Sequence, residues 1–213
     1  PDENFAYLSC GTWSLLGIEN EGPIISDKSL EYNFTNEGGV DNTIRVLKNI
    51  CGLWLFERCR EEFKDAPKEV GALAALCLES DCESIINPDD PSFANPESMT
   101  KTIDEYCIKS GQPKPEKPAD YIRVVYRSLA NRYGEITAWL RELSPVEIKR
   151  LHVIGGGSRN GHLMQMAADT LGIPVIAGPA ECTALGNVLM QLRADGSLSS
   201  LKDMRKVAID STE

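Results

Sequence analysis

Residues Leu151–Asn160 read LHVIGGGSRN. Leu151 to Ile154 has the composition of a buried strand, and three consecutive glycines end it. Asn160 to Leu171 has helical spacing, and Pro174 to Ala177 (PVIA) reads as a second strand. Gly178-Pro179 then turns into a helix over about Glu181 to Arg193. Strand, helix, strand, helix in this order is the pattern of a parallel pair with crossover helices.

The glycine turn brings unshielded backbone N–H groups and a helix N-terminus to one point, which favours a phosphate or a closely packed nucleotide. Gly155 and Gly157 match the first two glycines of the dinucleotide fingerprint. Asn160 stands where the third should be, and the second strand ends in Gly178-Pro179, without the acidic residue a ribose would want. A GK[ST] phosphate loop is also missing. Gly155, Gly156, Gly157 and Asn160 therefore read either as a nucleotide site or as a tight packing turn.

At the start of the chain, Phe5 to Ser9 (FAYLS) and Trp13 to Glu19 (WSLLGIE) read as an antiparallel hairpin with Cys10-Gly11-Thr12 at its tip. A tip of this kind can offer N–H and O–H donors to phosphate, although most such tips are simple turns. Glu31 to Phe34 reads as a third strand and Thr35 to Val40 as a loop. A helix is expected over Thr43 to Phe63. On it Arg45, Lys48, Asn49 and Gly52 would share one face, turned either to water or to a ligand cleft. Further helices are expected at Val70–Leu78, Met99–Lys109 and Ala119–Leu143, the last with a stripe of Ile122, Val125, Leu129 and Tyr133. Ile85 to Pro96 is a Pro/Asp/Asn-rich loop, and Ser110 to Pro118 is an exposed connector.

The whole chain of 213 residues is 42% hydrophobic and 25% charged, which excludes a disordered or fibrous polymer. A net charge of −10 opposes non-specific binding to nucleic acid or to anionic membranes. No apolar run, Gly52 to Phe56 included, approaches the roughly 20 residues of a bilayer span. Seven cysteines, none in a CxxC pair, read as reduced core residues of a cytoplasmic protein. His152 reads as a packing residue and His162 as an exposed helix residue; Asp41, Asp104 and Asp169 read as surface or capping groups. No acid–base pair and no metal site is expected. The start at Pro1, without methionine, reads as a processed or truncated chain.

Taken in order, YLSCGTWSLLGIE (7–19), TNEGG (35–39), RVLKNICGLWL (45–55), LHVIGGGSRN (151–160) and VIAGPAECTALGN (175–187) resemble the FGGY carbohydrate kinases, and within them the L-rhamnulose kinase group. The resemblance covers nearly the whole chain, and GTWS, TNEGG and LKNxxGLWL are its most specific parts. It implies one lobe, residues 1–213, of an actin-like, hexokinase-type ATPase with a ribonuclease H-like α/β fold. That lobe would have a mixed sheet, an N-terminal hairpin, a C-terminal βαβα unit and flanking helices.

The resemblance also implies roles. Thr12 would contact ATP phosphate, and Gly155, Gly156, Gly157 and Asn160 would lie near the adenosine. Asn49 would contact the sugar. Glu57 stands where relatives carry a glutamine that meets the nucleotide, and its charge puts that contact in doubt. Cys107 matches a cysteine that is bridged in some relatives, but Val124 stands at the partner position, so no bridge is expected. The family's catalytic aspartate sits in an HDT motif upstream of GTWS. No HDT occurs in this chain, so no catalytic residue is expected in it, and the Mg²⁺ ligands are expected mainly in the other lobe. The implied partners are ATP or ADP, L-rhamnulose and the N-terminal lobe. A kinase of another ketose (xylulose or fuculose), a non-catalytic nucleotide- or sugar-sensing module on the same fold, and a dinucleotide-dependent oxidoreductase remain as alternatives.

Overall fold

In the computed structural model, which describes residues 4–145 and 147–211, the chain opens with the expected hairpin. β1 (Phe5–Cys10) pairs antiparallel with β2 (Trp13–Asn20). A short helix, α1 (Asp27–Glu31), follows, capped by Ser26 and ended by Asn33 in the left-handed region. The third strand is not Glu31–Phe34 but β3 (Thr35–Gly38), the stretch whose composition reads as loop. β3 is an exposed edge strand, so its side chains are polar although its backbone is paired.

The larger correction concerns residues 43–63. A strand, β4 (Ile44–Cys51), comes first, and only then a helix, α2 (Trp54–Glu62). β4 is buried on both faces at its centre: Val46 and Ile50 face the main core, while Leu47 is buried on the opposite side. Apolar residues on both faces break the period-two alternation and imitate a helical stripe. The proposed polar helix face therefore does not exist. Lys48, only 9% exposed, points to the core side, and its ammonium donates to the Tyr32 carbonyl at 2.8 Å. Arg45 and Asn49 lie on the other face.

Gly52 separates strand from helix for a steric reason. A β-carbon there would meet the Gly11 carbonyl at 2.6 Å and the Ser14 hydroxyl at 2.8 Å. The glycine admits the hairpin tip rather than a ligand. It lets the N–H groups of Gly52 and Trp54 donate to the Thr12 carbonyl, and that of Leu53 to the Gly11 carbonyl.

The middle of the chain is helical, as expected. α3 (Val70–Ala75), α4 (Met99–Lys109) and the long α5 (Pro118–Leu143) lie near the expected bounds. α5 buries Ile122, Val125, Leu129 and Tyr133 completely or nearly so. The Tyr133 hydroxyl is 2.9 Å from the Ser14 hydroxyl, which ties α5 to β2 inside the core. β5 (Arg150–Ile154), α6 (Gly161–Leu171), β6 (Val175–Ala177) and α7 (Cys182–Ala194) form the expected βαβα unit. A last helix, α8 (Leu201–Asp210), has no counterpart in the sequence reading.

The six strands make one mixed sheet in the order β3-β4-β2-β1-β5-β6. β1, β5 and β6 run parallel, and β2 and β4 complete an antiparallel meander. α5 and α6 pack against each other, and α5 packs on β2. α8 stands over the opposite face, tied to it by Arg205 and Glu19 at 3.1 Å. Between that helix and Phe5, Tyr7 and His152 of the sheet lies an apolar cavity of about 770 Å³. His152 meets Phe5 edge-on at 5.3 Å and is a packing residue, while His162 is half-buried rather than exposed. All seven cysteines are free thiols; Cys10, Cys51, Cys59, Cys77 and Cys107 are buried, and Cys82 and Cys182 are half-buried.

Candidate functional site

Strand direction decides which loops meet. β1, β5 and β6 point the same way, β2 starts where β1 ends, and β4 ends beside the start of β2. The hairpin tip, the glycine loop, Gly178-Pro179 and the start of α2 therefore share one edge of the sheet. In open α/β sheets, ligands bind in the crevice outside the carboxyl ends of strands.

The glycines of the loop do different jobs. Gly155 has φ +87°, a left-handed conformation that favours glycine, and a β-carbon there would lie 2.7 Å from the Cys10 carbonyl. At Gly157 a β-carbon would collide with the Cys10 sulfur and its carbonyl oxygen. Gly156, between them, is exposed, and no atom lies within 4 Å of where its β-carbon would be. Two glycines thus pack the loop onto the end of β1, and the third leaves bare backbone towards solvent. Gly155 donates its N–H to the Pro179 carbonyl at 3.1 Å, and the Ser158 hydroxyl donates to the Gly178 carbonyl at 3.0 Å, so the two βα turns brace each other.

Asn160 caps α6, its side-chain oxygen accepting from the Leu163 N–H at 3.1 Å. The same side chain lies beside the Tyr126 hydroxyl of α5. Burial raises that phenol above its usual range, with the contact to Asn160 opposing the rise and the charge of Glu57 adding to it. Glu57 is near enough for its charge to act on that phenol, and it pairs with Arg60 at 3.3 Å. Thr12 is exposed at the tip, and its hydroxyl makes no hydrogen bond to another described residue. Its backbone is pinned by the α2 turn as described above.

Asn49 lies apart from the loop residues. It is exposed on the second face of β4, opposite Leu15 of β2. Three strand steps, about 14 Å, separate β4 from β5. The β1–β2 tip with Thr12 lies between them. The edge therefore offers a row: Asn49, then Thr12, then Gly156. Donors and open backbone dominate the Thr12–Gly156 part of it, which suits a polyphosphate. No group of three His, Cys, Asp or Glu side chains gathers as a cation site among the described residues. Likewise, no helix among them is long and apolar enough to cross a membrane.

Sequence reasoning missed Gly52 as the residue that admits the tip, and it missed the strand that carries Asn49. The signal for the second lay in the β-branched residues Ile44, Val46 and Ile50 before a glycine. It also left unremarked the exposed Trp13 beside Thr12.

Comparison with known proteins agrees with this architecture. Residues 6–194 match the family model described as the FGGY family of carbohydrate kinases, C-terminal domain. The chain is 51% identical over 210 residues to a rhamnulokinase of Bacteroides thetaiotaomicron, covering 97% of this chain and 42% of that protein. It is 48% identical over 202 residues to a rhamnulokinase of Pectobacterium carotovorum, covering 94% and 40%. The chain thus spans well under half the length of these relatives. Among solved structures, a gluconate kinase from Lactobacillus acidophilus superposes with a TM-score of 0.69 at 11% identity, over 98% of this chain and 42% of that one. A Plasmodium falciparum glycerol kinase with ADP gives 0.65 at 15% identity, over 95% and 41%. At these identities the structural likeness carries the actin-like ATPase fold alone.

Proposed function

Because the chain belongs to the FGGY family of carbohydrate kinases, through its C-terminal domain, we propose that it is the nucleotide-binding lobe of an enzyme that transfers a phosphoryl group from ATP to L-rhamnulose, giving L-rhamnulose 1-phosphate. The observation that carries this reading is the row along the sheet edge. Gly156 and Asn160 stand at one end, Asn49 stands near the other, and Thr12 lies between them. A nucleotide held at the glycine loop would extend its phosphates past the Thr12 hydroxyl towards a sugar near Asn49.

In this reading Gly155 and Gly157 hold the loop against β1, and Gly156 offers its backbone to the nucleotide. Asn160 orients the start of α6, whose N-terminal dipole favours negative charge. ATP supplies the phosphoryl group. Mg²⁺, which would be held mainly by the other lobe, supplies charge neutralisation. The identity to rhamnulokinases over nearly all of the chain supports the choice of sugar.

Phosphoryl transfer depends on positioning and electrostatic stabilisation across a closed cleft. The proposal places the base that accepts the sugar proton, an aspartate, upstream of residue 1. The chain alone is therefore inactive. The test is a coupled ADP-release assay with L-rhamnulose, ATP and Mg²⁺, run on this chain and on the two-lobe enzyme that contains it. Turnover only in the two-lobe enzyme is expected. Turnover by the chain alone, or none by either, contradicts the proposal.

A further inference from the structure

Three tryptophans occur in the chain, and two of them are held in place. Trp139 stacks on Tyr32 at 4.8 Å, with Arg132 against its ring. Trp54 donates its indole N–H to the Phe93 carbonyl at 3.3 Å and carries Arg58 over its ring. Trp13 is 63% exposed and makes no side-chain hydrogen bond or ring contact with another described residue. A single exposed apolar side chain is ordinary on a protein surface, so the meaning of this indole rests on what surrounds it.

Its surroundings narrow what that is. Trp13 follows Thr12 and pairs with Cys51, so it shares the β4 face of Asn49, two residues away. It lines a cavity of about 520 Å³ together with Thr12, Trp54, Asp89, Asp90 and Asn95. That volume is in the range of small-ligand sites, ~300–1,000 Å³. Asp89 is fixed in the wall, one oxygen accepting from the Cys51 N–H and the other from Arg132, each at 2.8 Å. Asp90 accepts from Ser92, and those hydrogen bonds hold its carboxyl below the usual range, so it stays charged. The Asn95 amide is exposed and makes no hydrogen bond to another described residue.

A flat apolar plate beside an acceptor and an amide suits a polyhydroxylated carbon chain. The plate takes its C–H face, and the polar groups take its hydroxyls. Asp89 is offset by Arg132, but the charge of Asp90 repels phosphate, so the wall does not suit the nucleotide. We propose that Trp13 is a specificity-determining contact for the sugar, its indole packing on the ketose while Asp90 and Asn95 meet its hydroxyls. This inference rests on the kinase reading above.

The test uses the two-lobe enzyme in which this chain is the second lobe. Trp13 is exposed, so Trp13→Ala leaves the core intact. The substitution raises KM for the ketose by about tenfold or more, the scale of one lost apolar contact. It changes KM for ATP less than about twofold, and Trp13→Phe recovers most of the loss. Asp90→Asn and Asn95→Ala raise the same KM. If the unsubstituted enzyme phosphorylates no ketose, the kinase reading falls and this inference falls with it. If it is active and Trp13→Ala leaves KM for the ketose unchanged, only the role of Trp13 is overturned. A drop in kcat alone also overturns it and places the indole against the other lobe.

Discussion

Gly157 packs against Cys10 so closely that a β-carbon on the glycine would collide with the cysteine sulfur. This contact fixes the glycine loop to the hairpin, and it separates the structural glycines from the open one. Gly157→Ala forces overpacking at a buried site and costs about 1–3 kcal/mol in urea unfolding. Gly156→Ala, with open space around it, stays within about 0.5 kcal/mol of the parent. A loop whose glycines served only packing would show the same cost at both positions.

Tyr133 is fully buried, and its hydroxyl is engaged by Ser14 and lies near Cys10. Tyr133→Phe leaves the Ser14 hydroxyl buried without that partner and costs about 1–3 kcal/mol. Adding Ser14→Ala removes the stranded group, so the double variant is more stable than the sum of the two single losses. Chemical denaturation of the four proteins in the cycle measures this coupling.

Glu62 acts as a second cap for α4, accepting from the Met99 N–H at 2.6 Å, from the Ser98 hydroxyl at 2.8 Å and from Thr100. Burial alone would raise its carboxyl, but these hydrogen bonds outweigh it and hold the group below the usual glutamate range. A depressed folded value gives stability that is present above the unfolded value, about 4.3, and lost as pH falls through the folded one. Urea midpoints between about pH 3 and 7 should therefore fall more steeply on the acid side for the parent than for Glu62→Gln.

Burial lifts the thiols of Cys51 and Cys107 to about 11 and raises those of Cys10, Cys59, Cys77 and Cys182 as well. Thiolate is the reactive form. Ellman's reagent on the folded chain should label the half-buried Cys82 first and the half-buried Cys182, whose thiol is raised, more slowly, with the five buried thiols reacting only on unfolding. Rapid reaction of Cys10 would mean that the hairpin tip and the glycine loop come apart readily.

The charge of Glu57 acts on the Tyr126 phenol, beside which Asn160 lies, so an anionic ligand at Asn160 would be repelled by it. Glu57→Gln removes that repulsion. Being partly exposed, the charge is worth at most about 1 kcal/mol, so ADP affinity should rise by up to about fivefold in calorimetry. Weaker binding would mean that Glu57 reaches the ligand through a bridging cation.

The sequence reading located the hairpin, the βαβα unit and the long helix because each follows one rule. The hairpin has a glycine tip, β5 ends in glycines, and α5 keeps its stripe in register. β4 escaped because Leu47 is buried on the face opposite Val46 and Ile50, so its pattern has no single period. β3 escaped because an edge strand can be as polar as a loop. Of the site, the motif residues were legible, but their row along one edge was not. That order follows from β2 running against both β1 and β4, which only the pairing reveals. Trp13 was invisible as a site residue, since nothing in a hairpin pattern says which exposed side chain is left uncovered.

The most direct test of the central claim, that the Thr12–Gly156 edge receives the nucleotide, is an ADP titration of this chain followed by amide NMR. Saturable shifts at Thr12, Gly155, Gly156, Gly157 and Asn160, with Arg205 and Ile209 of α8 unmoved, are the predicted result. Saturable binding that leaves those five amides unshifted, or that maps to the α8 cavity, would contradict it.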